Sequence, residues 1–149
     1  MVWDSFKTDL AGIITELENN ATLQNFCKSL FGRVHTVFKY AKKVDEVNLD
    51  KWPFLMVIFK GGDPRYATVG AVEISYELMV FGGFKTDEPE EWVDKQIQFI
   101  EEVEQVLFAY AKATDNIHII PGAVSNDGGF FPTNYVFVQS YKVEITREV

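Results

Sequence analysis

Residues 88–112, EPEEWVDKQIQFIEEVEQVLFAYAK, decide the fold. Asp87 precedes them as a candidate cap, Pro89 falls in the first turn, and acids crowd the end where a helix dipole is positive, so the stretch reads as one long helix. Trp92, Val93, Ile97, Ile100, Val103, Leu107 and Tyr110 recur at helical spacing and form an apolar stripe wide enough to cover one face of a sheet. That sheet is found on both sides of the helix. Upstream, Val72, Ile74, Tyr76, Leu78 and Val80 alternate with Glu73, Ser75 and Glu77, the pattern of a half-buried strand, and Gly82-Gly83 reads as its end. Before it, Trp52-Pro53 opens a run from Phe54 to Phe59 that is apolar on both faces, as a strand in the middle of a sheet is; residues 54–60 are assigned to it. Gly61-Gly62-Asp63-Pro64 is a turn signal, so 61–70 reads as a loop joining two antiparallel strands. Downstream, 117–120 is a short strand, 121–133 a loop rich in glycine, and 135–147 a closing strand. In that last strand Val136 and Val138 fall on one parity and Tyr141, Val143 and Ile145 on the other, which predicts a bulge near Gln139-Ser140.

Farther out, Phe6, Leu10, Ile13 and Leu17 define an amphipathic helix over 4–19, and Leu23, Phe26, Cys27 and Leu30 a second one that stops at Gly32. Residues 34–40 are a strand or an extended connection, and 42–51 a polar loop. Without a βαβα rhythm or an internal repeat, this order predicts an α+β fold. The expected architecture is one domain over 1–149, with an antiparallel or mixed sheet carrying the long helix and the N-terminal helix on one face.

Composition narrows the function. The 149 residues include 22 acids and 14 bases, a formal charge of −8, with no basic run longer than Lys42-Lys43, which argues against nucleic-acid binding over the whole surface. The single cysteine, Cys27, has no partner for an intramolecular disulfide, and the chain does not open like a secretory leader; a reducing, cytoplasmic setting is expected. The apolar run 53–59 is too short to span a bilayer, so no membrane partner is expected. Aromatics reach 15% with thirteen Phe, a surplus that points to rings lying in a partner's interface.

Nucleophilic or acid–base catalysis needs a positioned His, Cys or Lys with an orienting partner. Cys27, His35 and His118 are the candidates, and each sits in a context that reads as structural; three such residues with no close pair do not make a zinc site. Glu101, Glu102 and Glu104 read as a solvated helix face. Glu73 and Glu77 share a strand face and are the one carboxylate pair that a small enzyme or a hard cation could use, while Asp63, Asn126 and Asp127 lack calcium-loop spacing. Neither glycine pair is a phosphate loop: Gly61-Gly62 lacks the Lys-Ser/Thr ending, and Gly128-Gly129 precedes a strand. No catalytic, cofactor-binding or metal residue is assigned. Arg65 and Tyr66 in the first loop and Phe130 and Phe131 in the second are large groups in segments expected to be loops, serving either a local core or a partner; they are assigned as the candidate oligomer interface.

In its order of elements the chain resembles the tail terminator or tail-completion proteins of tailed phages and prophages. The similarity lies in the N-terminal amphipathic helix, the Trp52-Pro53-Phe54 lead-in to a buried strand, the alternating second strand, the long helix after Glu88, and Asn126-Asp127-Gly128-Gly129-Phe130-Phe131-Pro132 before the final strand. The resemblance implies a non-enzymatic subunit without a cofactor that forms a ring of six and caps the tail tube. Its partners would be further copies of itself, the tube, and head or connector proteins. It would assemble in the host cytoplasm and remain in the virion tail, where DNA passes its acidic lumen without specific binding. Two alternatives stand beside it: a small-ligand-binding α+β module, and a carboxylate enzyme using Glu73 and Glu77.

Overall fold

From Ala71 to Val80 the side chains alternate without a break between half-buried and buried, the two-residue period of a strand with one face on a core. Around this strand a computed structural model describes the backbone of residues 2–68, 70–129 and 133–148, and the side chains of 7–62, 70–129 and 133–146. The elements are α1 (Val2–Asn19), α2 (Ala21–Phe31), β1 (Thr36–Phe38), β2 (Phe54–Thr68), β3 (Ala71–Lys85), α3 (Trp92–Ala113), β4 (Ile117–Asn126) and β5 (Asn134–Glu148). The five strands form one sheet in the order β1-β2-β3-β5-β4, antiparallel except for the parallel β1–β2 pair. The fold is α+β with a mixed sheet and the helices against one face.

Local chemistry sets the helix boundaries. Asn20 accepts the Leu23 N–H at 2.9 Å and starts α2, while Gly32, at φ 85°, ends it in the left-handed conformation that glycine adopts at least cost. Asp87 is not the cap of α3. A 3-10 turn over Pro89–Glu91 leads into the helix, and Thr86 Oγ1 accepts the Glu88 N–H at 3.1 Å.

The glycine pairs do not interrupt the sheet. Residues 61–68 continue β2, paired through Pro64 with Ile74 and Tyr66 with Val72, with irregularities between Phe59 and Gly61 and between Tyr66 and Thr68. The expected ten-residue loop is therefore a tight hairpin around Gly70. Gly82 and Gly83 likewise lie inside β3. A Cβ on Gly82 would run into the ring of its cross-strand partner Phe137, and one on Gly83 into the ring of Phe54. These glycines seat aromatic rings, one on each face of the sheet.

β4 extends to Asn126 and absorbs half of the expected 121–133 loop; its irregularity falls between Pro121 and Val124. β5 has no bulge. Its odd residues from Tyr135 to Ile145 are all buried, because Gln139 occupies the core position where the sequence pattern breaks. β2 is flanked on both sides only at Phe54–Met56, and beyond that its outer side has no strand partner among the described residues.

The main core lies between helices and sheet, and the phase of α3 differs from the expected stripe. Phe99, Val103, Val106 and Leu107 are buried, whereas Val93 and Ile97 are 46% and 50% exposed. On the opposite face, the 42–51 segment folds into 3-10 turns at Val44–Glu46 and Leu49–Lys51, and Val47 and Trp52 close a small second core over Phe54 and Met56. The aromatic surplus is largely internal. Trp92 stacks on Tyr135 at 5.3 Å, Tyr135 on Phe84 at 5.5 Å and Phe84 on Phe31 at 5.0 Å, and Phe99 links this row to Phe26 and Phe137. Among the described residues most rings fill the helix–sheet interface, and Tyr40, Phe59 and Phe108 are the exposed ones.

Candidate assembly surfaces

The candidates for chemistry are dispersed and occupied. Cys27 faces the core from α2, and burial, helped by the Glu102 carboxylate, pushes its thiol up to about 12 despite a bond from the His35 backbone amide. A thiol held in that form is not a nucleophile. His35 is buried beside it, its Nε2 against the Leu17 carbonyl, and burial lowers its pKa below 6.5 against the opposing pull of that carbonyl and of Glu18. The neutral ring therefore donates from Nε2 and ties the end of α1 to the start of β1. His118 is exposed on β4. Among the described residues no group of three or more His, Cys, Asp or Glu is placed to hold a metal ion.

Three buried polar groups escaped the sequence reading. Lys95 lies almost wholly inside; its ammonium donates to Thr86 Oγ1 at 2.7 Å and pairs with Glu88 and Glu91, each at 3.6 Å. Three oxygens around one cation fix the 3-10 turn to α3. Gln139 donates to Glu104 Oε1 at 2.8 Å and accepts the Tyr141 hydroxyl at 2.7 Å, and burial with Glu104 pushes the Tyr141 phenol up. Gln96 accepts from Asn126 Nδ2 at 3.1 Å and joins α3 to β4. A polar residue at a position whose period predicts burial is the signal that could have revealed the glutamines.

The open face of the sheet carries a shallow depression of about 560 Å³ lined by Gly61, Gly62, Ser75, Glu77, Ser140 and Lys142 among others. Its charges are paired, Glu77 with Lys60 at 3.8 Å and Lys142 with Glu144 at 3.1 Å. Glu73 and Glu77 share this face as expected, four residues apart on β3.

Of the candidate interface residues, Arg65 and Tyr66 belong to a strand and not to a loop, as register partners of Glu73 and Val72. Phe130 and Phe131 lie outside the described residues. Among the described residues neither end of the strand order has a further strand beside it, and each has exposed apolar side chains nearby: Val34, Tyr40 and Phe59 at the β1–β2 end, and Ile97, Phe108 and Val124 at the α3–β4 end. Among the described residues no helix is long and apolar enough to cross a membrane. No protein-family model matches the chain, and no curated protein matches its sequence.

Proposed function

We propose that the chain is a structural assembly protein of a phage or prophage tail, one subunit of a six-membered ring that caps the tail tube and joins it to the head or connector. The observation that carries this reading is the pair of open sheet ends, each flanked by exposed apolar side chains. Two different lateral surfaces are what a repeated head-to-tail contact requires, and such a contact makes a ring when its rotation closes. The family resemblance supports the same reading through an N-terminal amphipathic helix, a Trp52-Pro53-Phe54 lead-in to a buried strand, an alternating second strand, a long helix, and the glycine- and asparagine-rich stretch 126–132 before the final strand. Under it, an acidic lumen repels DNA phosphates and lets the duplex pass without being gripped.

Mass measured against protein concentration, with electron microscopy of the associated species and of tail tubes grown with and without the protein, tests the reading. Closed rings and tubes of limited length are expected. A species that stays monomeric and leaves tube growth unaltered would refute it. Replacing Phe130 and Phe131 together by Ser separates contact from core: preserved melting temperature with lost association assigns those rings to the interface, and the reverse assigns them to the fold.

A further inference from the structure

The charge of this chain is sharply divided. Residues 19–44 contain no Asp or Glu but five bases, Lys28, Arg33, Lys39, Lys42 and Lys43, while residues 87–104 carry eight acids against the single base Lys95. The fold separates only the later part of the basic stretch from the acidic one, since α2 packs on α3 through Phe26, Phe31 and Phe99 before the chain leaves for β1. The basic one runs through α2 and β1, with β1 at one end of the strand order; α3 is tied to the other end by the Gln96–Asn126 and Glu104–Gln139 bonds to β4 and β5.

Helical geometry says which side of α3 is free. At about 100° per residue, Val93, Asp94, Ile97, Glu101 and Phe108 fall within an arc of about 100°, away from Lys95 and Val106; the near edge of that arc also holds the half-buried Glu104 that reaches Gln139. All five are exposed, the three apolar ones by 40–50%. At the β1 end the exposed set has the same make-up with the opposite sign: Val34 at 46% and Tyr40 at 59%, among Arg33, Lys39 and Lys43. The local partners of this basic set are weak ones, Lys39 to Glu18 at 3.7 Å between exposed side chains and Arg33 to the Leu49 carbonyl at 3.4 Å.

We propose that the outer flank of α3 docks on the β1 end of a second copy, apolar side chains against apolar side chains and acids against bases. The proposal deepens the ring reading by naming the surfaces that meet, and rests on it only for closure of the series. Docking through side chains, and not by continuing the sheet, follows from how the strand edges are built. The unflanked part of β2 contains Lys60, an irregularity between Phe59 and Gly61, and Pro64, and β4 contains Pro121 with an irregularity beside it, features that spoil strand addition. Opposite charge on two different surfaces also orients the contact, because either surface meeting its own kind places like charges together.

The test is charge reversal read by sedimentation up to about 100 μM, where a micromolar contact is populated. Asp94→Lys with Glu101→Lys, and separately Lys39→Glu with Lys43→Glu, should each weaken association by about tenfold or more, and wild-type association should fall with added salt. An equimolar mixture of the two variants should associate again, and so should the chain carrying all four changes, whose recovery also shows that the variants fold. Association insensitive to either pair, or no rescue on mixing, overturns the surface assignment and leaves the ring reading standing. Rescue into open filaments or two-fold dimers overturns the ring and keeps the surfaces; a wild-type chain monomeric throughout overturns both. Binding of a DNA oligonucleotide that Lys39→Glu with Lys43→Glu abolishes, while self-association is unaltered, would assign the basic end to nucleic acid and overturn the proposal.

Discussion

Replacing Phe99 with Ala tests the packing of α3 at its centre. The ring has no exposed surface and meets four others: Phe31 at 5.4 Å, Phe137 at 5.6 Å, Phe26 at 6.2 Å and Phe84 at 6.4 Å between centroids. Those neighbours belong to α2, β3 and β5, so the vacated space is bounded by three elements that cannot all move inward at once. Collapse is poor, and the loss falls in the range of about 3–5 kcal/mol seen for buried Phe truncations. Ile97, two residues away and half exposed, provides the control: Ile97→Ala should change monomer stability by no more than about 0.5 kcal/mol, with the half-buried Ile100 in between. Urea unfolding followed by tryptophan fluorescence at a concentration where the protein is monomeric gives both values, provided that the denaturant slope is unchanged. A larger loss at Ile97 than at Phe99 would refute the helix phase described above and restore the stripe expected from spacing alone.

Three further outcomes are expected. Thr86→Val removes the 2.7 Å acceptor of a buried ammonium and should cost about 1–3 kcal/mol; adding Lys95→Met should return part of that loss, since no charge is then left under-satisfied, and a double-mutant cycle in urea measures it. Gly83→Ala should destabilise by about 1–3 kcal/mol because the new methyl meets the Phe54 ring, and combining it with Phe54→Leu should relieve the clash, read as a recovered melting temperature. His35 has a folded pKa below its ordinary 6.5, so its contribution is complete above 6.5 and declines as pH falls through that value, where the unfolded chain takes up the proton first; His35→Gln should flatten the fall in urea midpoint over that range.

The elements whose period was uninterrupted were legible in the sequence. The alternation of β3 and the helical spacing of Leu10, Ile13 and Leu17 appear in the fold as expected, because burial on one face alone determines such patterns. Misreadings occurred where a residue type had two physical uses. Glycine can end a strand or admit a neighbour's ring, and the choice at Gly82-Gly83 depends on Phe54 and Phe137, which stand far away in sequence and opposite in register. In β5, Gln139 breaks an apolar parity that Glu104 and Tyr141 complete by hydrogen bonding, so a one-dimensional pattern registers a bulge where the strand is straight. Spacing alone assigns Val93 and Ile97 to the core side of α3, because an exposed apolar flank has the same spacing as a buried one.

That last confusion bears directly on function. A whole-chain charge of −8 argues correctly against a generally basic surface, but the same average hides an acid-free run of 26 residues followed later by an acidic one. Both runs are visible in the letters. Their meaning required the fold: α2, where the basic run begins, packs on α3, but Arg33, Lys39 and Lys43 lie beyond it around β1, at the other end of the strand order from β4. The strand order places β1 and β4 at those ends, and the hydrogen bonds of Gln96 and Glu104 hold the acidic helix at the β4 end. Two apolar patches of opposite charge, one at each end, are what the proposed docking of one copy on the next uses, each copy turned the same way as its neighbour.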